Sequence, residues 1–139
     1  MIVIVCLDET KGMMFNGRRQ SRDRAVTEKI QQICTGKRLW MNAYSYKLYG
    51  VLENTEIFTD EDFLGKAGRG DICFVESEGL ASFADRIETL IVFWWNRKYP
   101  KDFSLDVDLG EWIKIQKTDF SGSSHEIITL EVYKRKAED

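Results

Sequence analysis

The chain has 139 residues, 43% of them apolar, a formal net charge of −3 and a sequence pI near 5.3. That length suits a single domain over residues 1–139 with a proper core. The acidic balance leaves no global basic footprint for nucleic acid, and the longest apolar run, Leu90 to Trp95, is too short to cross a bilayer as a helix.

Met1 leads straight into Ile2-Val3-Ile4-Val5-Cys6-Leu7, an apolar, mostly β-branched run that reads as a strand buried on both faces rather than a targeting segment. Asp8 to Gly17 reads as a polar, glycine-punctuated loop interrupted by Met13-Met14-Phe15. Between Asp23 and Cys34, Val26, Ile30 and Ile33 recur at helical spacing, with Ser21 as the expected N-cap. Gly36 tolerates the left-handed conformation that stops a helix. Next come a short strand at Leu39–Met41 and a helix at about 44–49. Residues 51–58 read as a weak strand, Asp60–Phe63 as one helical turn, and Asp71–Val75 as a strand. A helix is expected over Ser77–Glu88, with Leu80, Phe83, Ala84 and Ile87 on one stripe, before the strand Leu90–Trp95. In the last third Ile113 and Ile115 alternate with polar residues, as do Ile128, Leu130 and Val132, so Phe120–Ser124 connects an antiparallel hairpin. Strands alternating with helices, then a hairpin, imply an α/β sandwich with a mostly parallel sheet.

The stretch from Thr35-Gly36-Lys37 through Leu39-Trp40-Met41-Asn42-Ala43-Tyr44-Ser45 to Gly50 resembles the dihydrofolate reductase family. There a Thr-Gly-Lys turn, two apolar residues and a Met lead into Gly-Arg-x-Thr. Asp8-Glu9 with Gly12, the helix led by Asp23, Phe83-Ala84-Asp85, and the ending Glu131-Val132-Tyr133-Lys134-Arg135-Lys136 are similar to that family too, so the likeness extends over almost the whole chain. The resemblance implies a three-layer sandwich in which the mixed, mostly parallel sheet ends in a C-terminal antiparallel hairpin. It also implies NADPH as cofactor and folate or a related pterin as substrate.

Carried over residue by residue, the resemblance makes Asp23 the catalytic candidate, since the family holds the pterin ring on a buried carboxylate at the start of its first helix. A carboxylate can grip an amidine-like edge by two parallel hydrogen bonds. Arg22 or Arg24 beside it would pair with it and lower its pKa. The alternative for Asp23 is a helix-start acid on the dipole. Ser45 is the cofactor-phosphate candidate, offering a hydroxyl and a helix-start N–H; otherwise it is an ordinary cap.

The departures are chemical. Asn42-Ala43 replaces the family's Gly-Arg, removing a planar fork for phosphate. Val75 is followed by Glu76-Ser77-Glu78-Gly79 where paired glycines normally let backbone approach a pyrophosphate, so carboxylates would face it. Trp94 stands near the place of a threonine that supports the pterin-binding acid, and Trp94 and Trp95 should point to opposite faces. Two functions follow: a divergent member that has lost conventional hydride transfer but keeps a nucleotide- or pterin-binding cleft, or a working NADPH-dependent reductase. The cluster Arg18-Arg19-Gln20-Ser21-Arg22-Asp23-Arg24 suggests phosphate or RNA binding, set against a solvated loop in an acidic protein. His125 is the sole histidine, with no second one to build a metal site and no triad assignable from it. Three scattered cysteines, Cys6, Cys34 and Cys73, fit core-filling roles in a reducing cytoplasm. A small-molecule ligand without nucleic acid or membrane is the expected partner.

Overall fold

Ile2, Val3, Ile4 and Val5 are stiff at χ1 and pack well on a pleated surface, and they open strand β1 (Ile2–Leu7) at the centre of the molecule. The computed structural model describes residues 1–136. Strand β1 pairs in parallel on both sides. On one side lies Ile72–Phe74, with Ile2 opposite Ile72; on the other lies Thr89–Trp94, with Val5 opposite Val92. In chain order the strands are β2 (Gly12–Phe15), β3 (Arg18–Arg19), β4 (Arg38–Met41), β5 (Glu56–Thr59), β6 (Ile72–Phe74), β7 (Thr89–Trp94), β8 (Phe103–Ser104), β9 (Trp112–Ser121) and β10 (Ile127–Arg135). The main sheet runs β5-β4-β6-β1-β7-β10-β9. It is parallel from β5 to β7, and β10 and β9 then join antiparallel. This is the expected mixed sheet with its C-terminal hairpin.

Helix α1 (Arg24–Cys34) buries Val26, Ile30 and Cys34, one stripe at four-residue spacing. Each large apolar side chain so buried contributes about 1.5–3 kcal/mol. The stripe packs with Tyr49 of α2 (Ala43–Tyr49) against Ile4, Met41, Phe74 and Phe93. The opposite face of the sheet carries Val3, Val5, Leu7 and Val92. It is covered by Phe63 and Leu64 of α3 (Phe63–Lys66), by Met13 and Met14, and by Leu80 and Ile87. Three layers result. Trp94 packs on the Val5 side and Trp95 on the α1 side, the opposite faces that their alternation predicts. No helix among the described residues is long and apolar enough to cross a membrane.

Several boundaries differ from expectation for local reasons. Met13-Met14-Phe15 is a strand within a second sheet, β3-β2-β8. Asn16 (φ 51°) and Gly17 (φ 70°) close its hairpin with two left-handed residues. Only Glu56–Thr59 of the weak strand pairs with β4, because Glu53 is held instead by both ends of the Gln31 amide, at 2.6 Å each. The turn read at Asp60–Phe63 forms as α3, three residues later, with Asp60 bonded to Lys66 and to the Asp62 N–H. The expected helix at Ser77–Glu88 is a 3₁₀ turn over Ala81–Arg86. The Asp106 carboxylate takes the N–H groups of Leu80 and Ala81, at 2.8 and 3.1 Å, and the bonds Phe83 N to Leu80 O and Ile87 N to Ala84 O wind the segment more tightly.

Candidate functional site

Strands β1, β4, β6 and β7 all point their carboxyl ends the same way, and in open α/β sheets ligands bind at that edge. Two of the sequence candidates, Ser45 and Asp23, lie at this end, on separate networks.

At the end of β4, Asn42 caps α2, and its Oδ1 accepts from the Ser45 N–H at 2.9 Å. Its Nδ2 donates to Glu78 Oε2 at 2.7 Å and Ser77 Oγ at 3.1 Å. The Ala43 N–H donates to Glu61 Oε2 at 2.9 Å. Ser45 is fully buried and its hydroxyl donates to Glu76 Oε1 at 2.7 Å. Glu76 is gripped by both arms of Arg19, at 2.8 and 2.9 Å, and the guanidinium lies 4.5 Å from the centre of the Tyr44 ring. Burial opposes the charge on Arg19, but the Glu76 carboxylate more than offsets it and raises the guanidinium pKa. The N–H groups of Ala43 and Ser45 at the start of α2 meet the protein's own oxygens, on Glu61 and Asn42. Of the basic cluster, Arg18, Arg22 and Arg24 face solvent and Arg19 alone turns inward.

Asp23, rather than Ser21, caps α1. Its Oδ1 accepts from the N–H groups of Ala25 and Ser123 and from the Ser123 hydroxyl. Its Oδ2 accepts from the N–H groups of Ser124 and His125, the Ser124 hydroxyl, and His125 Nδ1 at 2.9 Å. Burial alone would raise this carboxyl, but the Ser123 N–H, the His125 ring and the Ser124 and Ala25 N–H groups hold it far below the usual carboxylate range. The depressed pKa expected from Arg22 or Arg24 thus has another source, the loop between β9 and β10. No second carboxylate oxygen is left over for an outside donor pair.

The far side of His125 completes the cluster. Its Nε2 lies 3.0 Å from Ser21 Oγ and 3.0 Å from the Tyr99 hydroxyl, and its ring stacks on Trp95 with centroids 4.7 Å apart. Reading the sequence missed these contacts because Asp23 and His125 are a hundred residues apart; the only signal was that the lone histidine follows a small-residue loop. Trp94 does not touch this cluster; its indole N–H donates to Glu131.

Space at the site is divided unequally. Between Cys6, Arg19, Tyr49, Glu76 and Trp95 the cavity measures ≈ 10 Å³, about enough for a single water. Outside Asp23 an open groove of ≈ 330 Å³ is lined by Arg22, Arg24, Thr27, Leu48 and Ser124. The described residues include no group of three His, Cys, Asp or Glu side chains placed to hold a metal ion.

Sheet order, the C-terminal hairpin and the helix layers together define the fold of the dihydrofolate reductases. The dihydrofolate reductase from Enterococcus faecalis, solved in complex with NADP(H) and RAB-propyl, superposes with a TM-score of 0.70 over 98% of this chain and 96% of its own, at 12% sequence identity. No protein-family model and no curated protein matches the sequence.

Proposed function

We propose that this chain is a divergent dihydrofolate-reductase-like protein in which conventional hydride transfer has been lost, while an open groove beside the first helix is kept for a small ligand. One observation carries this reading: Arg19, Glu76 and Ser45 fill the place where the fold would seat a dinucleotide phosphate. Admitting a pyrophosphate there means breaking a bidentate, half-buried ion pair and stranding Glu76, which is 8% exposed, beside another anion. Leaving one partner of such a pair unmatched costs about 3–5 kcal/mol. These residues do not fit NADPH.

Asp23 is as poorly disposed to its family role. An acid with every lone pair occupied, held ionised by the loop, neither grips a ring nor passes a proton. We assign it to the joint between α1 and the β9–β10 loop. The ligand is assigned to the groove flanked by Arg22 and Arg24, whose guanidinium groups favour an anionic pterin or nucleotide. An acidic chain whose exposed arginines number three in the cluster gives no reason to assign RNA. A single cytoplasmic domain is in keeping with three unpaired thiols.

Titration with NADPH, followed by tryptophan fluorescence, tests the reading. No saturable change is expected up to about 1 mM, the upper end of ordinary substrate affinities, and no turnover of dihydrofolate. Micromolar binding together with turnover that disappears in Asp23→Asn would establish the alternative, an active NADPH-dependent reductase.

A further inference from the structure

We infer that Ser21 is a nucleophile activated by the buried His125–Asp23 pair, and that the rim of the water-sized cavity it lines is an acyl-transfer site for small esters. Ser21 Oγ, His125 Nε2, His125 Nδ1 and Asp23 Oδ2 form one chain of contacts, 3.0 Å between serine and ring and 2.9 Å between ring and carboxylate. The histidine side chain is 3% exposed and that of the aspartate 0%, so water does not compete for either partner.

The protonation pattern follows from the acceptors. Asp23 is ionised and can only accept, so the proton between it and the ring is on Nδ1. In the neutral ring, Nε2 is then the acceptor, and it faces the hydroxyls of Ser21 and Tyr99. That is the arrangement a general base needs in order to take a serine proton, with the carboxylate fixing both the tautomer and the ring plane. Stacking on Trp95 holds the ring in place. Ser21 itself is only partly buried, on the wall of the water-sized cavity, whereas Asp23 lines the wider groove.

In the reaction Ser21 Oγ bonds to the ester carbonyl carbon as its proton passes to Nε2. The bond to the alcohol oxygen then breaks, and the alcohol leaves with that proton. Water adds to the acyl-serine by the same route, its proton going to Nε2 and then to Ser21 Oγ as the acid departs. The Tyr99 hydroxyl competes with Ser21 for the same Nε2, at 3.0 Å.

The test is labelling with a fluorophosphonate, located by peptide mass, alongside burst kinetics with p-nitrophenyl acetate. A single adduct on Ser21 is expected in the natural chain and none in Ser21→Ala, with His125→Gln slowing labelling about 100-fold or more. If His125→Gln fails to fold, Ser21→Cys is the second probe. Iodoacetamide should alkylate the introduced thiol well before the three native ones, and that thiol should restore the acetate burst. An adduct at another residue, equal labelling of Ser21→Ala, or no adduct on Ser21 would overturn the proposal. None of these measurements involves NADPH, so they fail or succeed apart from the loss of reductase activity.

Discussion

Asp23 and Arg19 sit four residues apart in one charged run, yet one became a buried anchor for a distant loop and the other the bidentate partner of Glu76. Asp23 contributes through its ionised form: its folded pKa lies below the unfolded value of roughly 3.9. Its stabilisation is therefore full above about pH 5 and drains away as pH falls through 4 and below. Asp8 acts with the same sign. Burial resists its charge, but the Tyr99, Gly12 and Thr10 N–H groups and the Thr10 hydroxyl outweigh it. Asp23→Asn should lower stability by about 3 kcal/mol at neutral pH, measured by urea denaturation, and should flatten the acid limb of the stability profile. An unchanged midpoint would remove Asp23 from its structural role.

At the scale of elements, the β9–β10 loop matters most, because it brings Ser123, Ser124 and His125 onto the end of α1. Gly122 makes the approach possible: a Cβ there would lie 2.5 Å from the His125 carbonyl oxygen and 2.8 Å from Asp23 Oδ2. Gly122→Ala should therefore cost about 1–3 kcal/mol and lift the loop from α1, read as a lower urea midpoint and faster hydrogen exchange of the Ser123 and Ser124 amides. Equal exchange in the variant would refute the close packing. The Asn16-Gly17 hairpin shows how an element signal can be present and still be passed over. That dipeptide is a strong turn marker, but its flanking strands have four residues and two, too short to show alternation.

Across the whole molecule, the two sides of one sheet are sealed by separate apolar clusters, and the thiols belong to them. Burial pushes Cys34 and Cys73 up to about 12, and burial followed by the charge of Glu76 raises Cys6 too. The native protein should leave all three unreactive toward a disulfide reagent at pH 8, and they should become reactive together with the loss of tryptophan fluorescence in urea. Early reaction of one thiol would mean that its cluster opens independently of global unfolding.

Periodicity made the strand and helix layers, the parallel centre and the closing hairpin readable from the chain alone, since alternation at two and recurrence near 3.6 are properties of local backbone geometry. The resemblance to the dihydrofolate reductases, rather than periodicity, marked Asn42-Ala43 and Glu76 as departures, because replacing an arginine or a glycine changes chemistry whatever the surroundings. Residues far apart in sequence obey no such local rule. That Glu76 would be met by Arg19, or that His125 would arrive between Asp23, Ser21 and Tyr99, was decided only when the sheet brought its carboxyl ends and the last hairpin together.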